Sequence, residues 1–277
     1  MTQHFFDHSL ATLSYYKFGE GTQKMLCFHG YGMHGRQFRV LEEVLGSKYT
    51  FYGFDLFFHE GTKLKQHSLE VVKAGLSKQE LAGMIMAFCK HEQIDRFSVI
   101  GYSMGSHYAT TVVEELAQLV DEYIVVAPSS LNPGRMVRFL SKNKLGNGLL
   151  EKLVLSKKAL IRLLKVCQAI RVVDRSGYEI LYKEIATAEL RFNFYACFTY
   201  LRFLETDEAR LFEVLRDKKI RSVFIFGKRD LMYPPSIGNR FVSQLQHAEV
   251  LVLDENHEMV NRNFAQVLSK ALLEIPA

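Results

Sequence analysis

The stretch Phe97-Ser98-Val99-Ile100-Gly101-Tyr102-Ser103-Met104-Gly105 joins a short apolar run to the pattern G-x-S-x-G. The run predicts a buried strand, and apolar residues recur after it at helical spacing, at Ala109, Val112, Val113, Leu116 and Leu119. A sharp turn between a strand and a helix lifts its central serine clear of the sheet. Small flanking residues are needed there, because larger side chains would collide with the neighbouring strand and helix. A simpler alternative is a turn whose serine only caps the helix.

Strand and helix patterns alternate on both sides of this stretch. Further strands are predicted at 25–28, 49–54, 123–127, 222–226 and 250–253, and helical spacing separates most of them. The segment Ser77-Lys78-Gln79-Glu80 is a capping box, which predicts the start of a helix. Between 129 and 217 the pattern is helical only, with a long helical stretch predicted near 178–203. We therefore predict an α/β fold with a mostly parallel, doubly wound sheet. Its core takes residues 1–128 and 218–277, and an all-helical segment, 129–217, is inserted.

Polar residues follow three more of the predicted strands. They are found in His29-Gly30-Tyr31-Gly32, in Gly227-Lys228-Arg229-Asp230 and in Asn256-His257-Glu258. Ligand sites in open parallel sheets lie at the carboxyl ends of the strands, so these residues are expected near Ser103. A serine hydroxyl needs a base to take its proton, and the base needs a carboxylate to fix its tautomer. Ser103, Asp230 and His257 supply these groups in the chain order serine, aspartate, histidine.

These motifs resemble the α/β-hydrolase-fold serine hydrolases that carry a helical cap, an esterase- or lipase-like family. The resemblance covers nearly the whole chain, with the cap at 129–217. It implies that Ser103 is the nucleophile, His257 the general base and then acid, and Asp230 the group that orients the imidazole. It also implies that the backbone N–H groups of Tyr31 and Met104 form an oxyanion hole. The resemblance further implies that two turns are shaped by structural residues. These are His29 and Gly30 in the turn that carries Tyr31, and Gly101 and Gly105 in the turn around Ser103.

The resemblance implies hydrolysis of a carboxylic ester, or of a thioester, of a small or lipid-like molecule through an acyl-enzyme. This mechanism requires no metal ion and no organic cofactor. Serine in the nucleophile position disfavours the dehalogenase and epoxide hydrolase chemistries, which use aspartate there. A carbon–carbon bond hydrolase or lyase and an acyltransferase can use the same triad, so both remain alternatives. A third alternative is a non-catalytic binding module that keeps the fold.

Other residues compete for the roles of base and acid. We expect His29 to be structural, His59 to be an exposed loop residue, and His107 to be packed or to line the pocket. Asp254 closes the last predicted strand, which would have to double back for this carboxylate to reach the ring of His257. The segment after the strand that precedes the insertion, 127–130, has no carboxylate, and this favours Asp230.

One segment departs from the family pattern. Many members carry D-x-x-G-x-G after the third core strand, whereas this chain has Asp55-Leu56-Phe57-Phe58-His59-Glu60. Because Phe58 and Glu60 stand in the two glycine places, we expect the loop to follow a different path.

A dinucleotide-binding oxidoreductase is the rival from another enzyme class. The segment 30–35 matches G-x-G-x-x-G after a predicted strand, and Asp55 follows 20 residues later, near the place of a ribose-binding acid. This interpretation leaves the serine motif and the late aspartate and histidine unexplained.

Composition excludes several classes of protein. Apolar residues make up 48% of the 277 residues and charged residues 23%, which is typical of a globular protein and not of a disordered one. No apolar run is long enough for a transmembrane helix, and the start of the sequence lacks the pattern of a secretory signal. The cysteines, Cys27, Cys89, Cys167 and Cys197, form no C-x-x-C pair, so we expect free buried thiols in the cytoplasm.

Positive charge is concentrated in the predicted insertion. Between 135 and 175, eleven basic residues oppose two acidic ones, a net charge of +9 in a chain of net charge +5. One interpretation is a solvated helix face; the other is attraction to an anionic lipid surface or an anionic substrate. Nucleic acid is not expected, since no nucleic-acid-binding motif accompanies the charge. Aromatic residues follow this basic segment, and they either pack in a core or line an acyl pocket. They are Phe192, Phe194, Tyr195, Phe198, Tyr200 and Phe203.

Overall fold

A computed structural model describes residues 2–169, 182, 186–245 and 248–273. Nine strands of this described part form one sheet. They are β1 (Gln3–Asp7), β2 (Ala11–Phe18), β3 (Gln23–Phe28), β4 (Tyr49–Phe54), β5 (Lys63–Leu64), β6 (Phe97–Tyr102), β7 (Val120–Val126), β8 (Arg221–Gly227) and β9 (Ala248–Leu253). The strand order is β1-β2-β4-β3-β6-β7-β8-β9, and β5 pairs with β2.

The sheet is mostly parallel, as predicted. Strands β4, β3, β6, β7, β8 and β9 pair in parallel, whereas β2 is antiparallel to β1, β4 and β5. Every residue of β4 and of β6 is buried. Parallel strands are covered on both faces, which explains why the predicted strands appear in the sequence as continuous apolar runs.

Eleven helices are found in the described part of the chain. They are α1 (Glu42–Leu45), α2 (Leu69–Ala74), α3 (Lys78–His91), α4 (Gly105–Leu116), α5 (Arg135–Lys142), α6 (Lys144–Leu155), α7 (Lys157–Ala169), α8 (Ala188–Tyr200), α9 (Glu208–Asp217), α10 (Ser236–Val242) and α11 (Arg262–Leu273). Short 3₁₀ turns occupy Gln37–Leu41 and Ala117–Leu119. Helix α3 begins at the predicted capping box, in which Ser77 and Glu80 bond each other's backbone N–H groups.

Side chains alternate between two cores on either side of the sheet. On one face, Met25 and Cys27 of β3 pack in a buried cluster with Leu45 of α1 and with Phe264 and Leu268 of α11. The opposite face carries α3 and α4; for example, the rings of Phe54 and Phe88 lie 4.7 Å apart. The sheet is therefore wound on both sides, and α4 begins directly after β6 at its carboxyl end.

The chain divides into two compact units. The first contains residues 1–65, 77–132 and 204–277, and the second contains 66–76 and 133–203. The second unit thus differs in its limits from the expected insertion, 129–217. Residues 204–217 belong with the first unit because the N–H of Asp207 donates to Glu114 Oε1 of α4 (2.8 Å) and α9 packs on α4. Residues 66–76 join the second unit, in which Leu76 N–H donates to Tyr200 O (2.8 Å).

Some predictions fall on residues outside the described part. The helical pattern expected near 178–203 is confirmed for α8, whereas 170–181 and 183–185 are not described. Cys27, Cys89 and Cys197 are free and buried, as predicted; the side chain of Cys167 lies outside the described residues. None of the helices within residues 2–169, 186–245 and 248–273 is long and apolar enough to cross a membrane.

Candidate active site

Ser103 occupies a strained turn between β6 and α4. Its φ angle is +49°, in the left-handed region that residues with a side chain seldom adopt. The N–H of Ser103 donates to Val126 O (2.9 Å), and its carbonyl accepts from the hydroxyls of Ser106 (2.5 Å) and Ser129 (2.8 Å). Backbone hydrogen bonds on both sides of the residue therefore hold the turn.

Gly101 and Gly105, on either side of Ser103, are needed for the steric reason that the sequence predicts. A Cβ atom on Gly105 would lie 2.0 Å from Phe28 O of the neighbouring strand. One on Gly101 would lie 2.5 Å from Gly105 O at the start of the helix. Glycine at 101 allows β6 to lie this close to α4, and glycine at 105 allows α4 to lie this close to β3. Larger residues at either position would therefore displace Ser103.

The structure brings Ser103, His257 and Asp230 together from three separate segments. His257 Nε2 lies 3.1 Å from Ser103 Oγ, and His257 Nδ1 lies 2.8 Å from Asp230 Oδ2. Ser103 follows β6, Asp230 follows β8 and His257 follows β9, all at the carboxyl edge of the sheet. The arrangement has the geometry of a nucleophile, a base and a group that orients the base.

Hydrogen bonds fix the carboxylate of Asp230, whose side chain is only 1% exposed. Its Oδ1 accepts from the N–H groups of Met232 (2.9 Å) and Tyr233 (3.1 Å), which leaves Oδ2 for the imidazole. Since a carboxylate only accepts, Nδ1 of His257 donates to it and carries the proton. Nε2 is then the basic nitrogen, and it faces the hydroxyl of Ser103.

Two tyrosine side chains and one serine side chain support this site, and the sequence analysis missed them. The hydroxyl of Tyr102 donates to His257 O (2.7 Å), and its ring lies 5.4 Å from the imidazole. The ring of Tyr233 lies 5.6 Å from the same imidazole. Ser129 holds the carbonyl of Ser103. Each of them lies within three residues of a strand end or a triad residue, which is the signal that could have identified them.

The competing residues are bonded elsewhere. Asp254 is exposed and lies 3.4 Å from Arg229 Nε, so its carboxylate does not replace that of Asp230. His107 Nδ1 lies 3.1 Å from Leu204 O. Asp230 is thus the carboxylate that reaches the imidazole of His257.

His29 locks the turn that follows β3. Its Nε2 accepts from the N–H of Leu56 (3.0 Å), so Nδ1 carries the proton and donates to Gly30 O (2.7 Å). Burial is the main cause that holds the pKa of His29 well below its usual value, and the neighbouring His59 adds to it. A neutral His29 therefore ties the turn to the segment after β4, in agreement with the expected structural role.

The expectation for His59 was wrong, because its side chain is half-buried and not exposed. Its Nε2 accepts from the N–H of Gly32 (3.0 Å), and Nδ1 lies 2.9 Å from Phe57 O. Its ring packs edge-to-face on the rings of His29 (5.0 Å) and Tyr31 (5.4 Å). Burial lowers the pKa of His59. This side chain shapes the turn that carries Tyr31.

The expected change of path in the loop after β4 is also corrected. Phe58 has a φ of +65° and Glu60 a φ of +38°, so both adopt the left-handed conformation that glycine favours. Asp55 anchors this loop: its carboxylate accepts from the N–H of Gly35 (2.8 Å) and from the hydroxyl of Ser14 (2.7 Å). These bonds keep the backbone in a glycine-like path although neither residue is glycine.

Asp55 also weakens the dinucleotide alternative. A third bond to its carboxylate comes from the N–H of Gly61 (3.2 Å), so both oxygens are used within the protein. The segment 30–35 leads into the 3₁₀ turn Gln37–Leu41, not into a long helix whose N-terminus could bind a pyrophosphate.

Tyr31 and Met104 stand at the two turns that border Ser103. Met104 is the N-cap residue of α4, so its N–H lies at the positive end of a helix dipole. Tyr31 lies in the turn held by His29 and His59. Their assignment as oxyanion donors stays a prediction.

Comparison with known proteins agrees with this architecture. Residues 24–157 match the family model of the alpha/beta hydrolase fold. The uncharacterized hydrolase YugF of Bacillus subtilis strain 168 is 21% identical over 257 residues, which cover 92% of this chain and 90% of YugF.

Solved structures resemble the chain over its full length. MGS-M2, an alpha/beta hydrolase enzyme from a Medee basin deep-sea metagenome library, superposes with a TM-score of 0.71 at 13% identity and covers 99% of this chain and 98% of its own. A thermophilic esterase from Thermogutta terrifontis has a TM-score of 0.64 at 13% identity, with coverages of 99% and 98%. At such identities the likeness is evidence for the fold.

Proposed function

We propose that this chain is a serine hydrolase of the α/β-hydrolase-fold superfamily and that it cleaves a carboxylic ester or a thioester. The observation that carries this proposal is the continuous series of hydrogen bonds from Ser103 Oγ through His257 to the buried carboxylate of Asp230. A carboxylate so placed fixes the tautomer of the imidazole, and Nε2 can then accept the proton of the serine hydroxyl. The small-molecule substrate forms an acyl-enzyme on Ser103.

The reaction has two balanced halves. Ser103 Oγ attacks the carbonyl carbon while its proton moves to His257 Nε2, and the carbonyl oxygen becomes an oxyanion. The bond to the leaving group then breaks, and Nε2 returns the proton to the departing alcohol or thiol. A water molecule repeats the sequence on the acyl-enzyme, releasing the acid and restoring Ser103.

Oxyanion stabilisation is assigned to the N–H groups of Tyr31 and Met104. One such donor contributes about 3–4 kcal/mol to the transition state in other serine hydrolases. The hydrogen bonds of His29 and His59 support this role, because they hold the turn before charge develops on the substrate. The helix dipole of α4 acts in the same direction at Met104.

The test compares turnover of p-nitrophenyl esters and acyl thioesters by wild type, Ser103→Ala, Asp230→Asn and Asp254→Asn. We expect Ser103→Ala to lose enzymatic turnover and Asp230→Asn to lower kcat about 10⁴-fold, because an amide cannot hold the correct tautomer. Asp254→Asn is the matched control, since Asp254 is an exposed carboxylate three residues before the same histidine in the sequence. This variant should keep kcat within about twofold of the wild-type value.

Two outcomes contradict the proposal: full turnover by Ser103→Ala, or an equal loss in both aspartate variants. Thermal melting of each variant shows whether a loss of activity is a loss of folding. If the wild type cleaves neither esters nor thioesters, a carbon–carbon bond substrate and an acyl acceptor are tested next with the same variants.

A further inference from the structure

Helices α5, α6 and α7 expose an unusual number of large apolar side chains. Seventeen such side chains are exposed in the described part of the chain, and eight of them lie between 136 and 166. They are Met136, Val137, Phe139, Leu145, Leu149, Leu155, Leu163 and Val166. Single exposed apolar residues are normal on a soluble protein, whereas a concentration on consecutive helices indicates a surface that binds something.

Helix α6 shows how these side chains are arranged. Leu145 is 83% exposed and Leu149 is 59% exposed, and Lys152 continues the same face at helical spacing. Leu150 and Val154 are buried on the other side of the helix. The helix thus has its own buried face, and its solvent face carries leucines that the fold of the described residues does not use.

Positive charge surrounds the exposed apolar residues. Between 133 and 169 the chain has nine basic residues and a single acidic residue, Glu151. The carboxylate of Glu151 lies 2.7 Å from Lys73 Nζ within the same unit, so this ion pair neutralises it. The nine cations are all exposed: Arg135, Arg138, Lys142, Lys144, Lys152, Lys157, Lys158, Arg162 and Lys165.

We propose that the exposed faces of α5, α6 and α7, here called the basic–apolar surface, bind an anionic lipid bilayer. Interleaved leucines and lysines match the interface of such a membrane, where apolar side chains enter the acyl boundary and cations meet the headgroups. Helices of 8, 12 and 13 residues are too short to span a bilayer, so they lie in the plane of the interface.

Charge distinguishes this occupant from a second copy of the chain. Two basic–apolar surfaces facing each other would bring together two sets of like charges, which repel each other. An anionic bilayer instead supplies negative charge and an apolar layer at the same place. Membrane binding by this surface does not depend on catalysis, because none of its residues belongs to the Ser103 site.

The experiment measures co-flotation of full-length Ser103→Ala protein with vesicles of phosphatidylcholine alone or with 30% phosphatidylglycerol. Because the protein lacks the proposed nucleophile, binding is measured without turnover. We expect binding to the anionic vesicles, weakened by high salt, and little binding to the neutral ones.

Three paired substitutions locate the surface. Arg162→Gln with Lys165→Gln should weaken binding about 25-fold, since each cation near an anionic membrane contributes about fivefold. Leu145→Gln with Leu149→Gln should weaken it about tenfold or more, because these leucines lose apolar burial. Met86→Gln with Lys90→Gln on α3 is the matched control, which removes one exposed apolar residue and one exposed cation elsewhere. It should bind as the parent does.

Four results overturn the proposal. They are the absence of binding to anionic vesicles, equal binding by the leucine pair, equal loss in the α3 control, and a concentration-dependent dimer that the leucine pair abolishes. Heparin in solution serves as the lipid-free polyanion. If heparin binds the protein as tightly as the vesicles do and the leucine substitutions change neither interaction, a soluble anionic partner replaces the bilayer.

Discussion

His29 and His59 are neutral parts of the turn beside Ser103, and this has a consequence for stability. Both rings use one nitrogen as an acceptor, which protonation would remove. Burial lowers the pKa of each ring in the folded protein, whereas an unfolded histidine titrates near 6.5. The unfolded chain therefore binds protons more readily below this pH. The stability that the neutral rings supply is present above about pH 6.5 and is lost as the pH falls towards the folded pKa values.

Replacement of His59 by glutamine tests this account. Glutamine keeps an acceptor for the N–H of Gly32 but does not titrate. Between pH 7.5 and 5.5 we expect the free energy of unfolding to fall less for His59→Gln than for wild type. The difference between the two proteins is at most about 1.4 kcal/mol per pH unit. Urea unfolding at both pH values measures it. His4→Gln, an exposed residue on the edge strand β1, is the control, and an equal change in both variants would refute the role of His59.

How much of the site the sequence predicts depends on the type of evidence. Ser103, Asp230 and His257 were identified because each follows a strand, and parallel strands end at one edge. The expectation for His59 is wrong because its ring packs on His29 and Tyr31 and bonds Gly32, all of them 27 or more residues earlier in the chain. In the sequence Tyr102 is only one residue of the serine motif, although its hydroxyl reaches His257, 155 residues later. Contacts of this kind leave no local pattern.

At the scale of elements, two core helices end in the same motif with a non-glycine residue in the left-handed conformation. After α3, Gln93 has a φ of +56° and the N–H of Ile94 donates to Cys89 O (2.8 Å). After α9, Lys219 has a φ of +52° and the N–H of Ile220 donates to Leu215 O (3.0 Å). Glycine usually occupies this position, because a Cβ atom makes the conformation costly.

Substitution of Lys219 by glycine is therefore expected to stabilise the protein. The left-handed strain is relieved, and part of the gain is offset by the larger entropy of an unfolded glycine, which leaves about 0.5–1 kcal/mol. The neighbouring Lys218 has a φ of −89°, so Lys218→Gly should instead lower stability by about 0.5–1 kcal/mol. Chemical denaturation of both variants checks the pair. Stabilisation by both, or by neither, would contradict the assigned conformation.

The loop after β4 marks a limit of sequence analysis at this scale. Phe58 and Glu60 predicted a new path because neither is a residue that favours a positive φ. The anchoring bonds of Asp55 to Gly35 and Ser14 override this local preference. Conversely, the capping box at Ser77 was predicted correctly, since both of its members lie within one helical turn.

At the scale of the whole molecule, hydrophobic patterning predicts the sheet but not the limits of the units. The apolar runs gave the parallel strands and their order of appearance in the chain. The short antiparallel strand β1, by contrast, has only one buried residue, so it carries no continuous apolar run. Residues 204–217 are helical like the insertion before them, yet their hydrogen bonds are made with α4 and the segment after β7. Periodicity identifies a helix but not its partner.

Reaction with a fluorophosphonate probe, followed by peptide mapping, shows directly whether Ser103 is a working nucleophile, because the probe modifies only a serine that is already activated. We expect one modified residue, Ser103, in wild-type protein. Ser103→Ala should show no modification and His257→Ala strongly reduced modification, while Asp254→Asn should react like wild type. Folded wild-type protein that does not react, or that reacts at another serine, would contradict the assignment of Ser103 as the nucleophile.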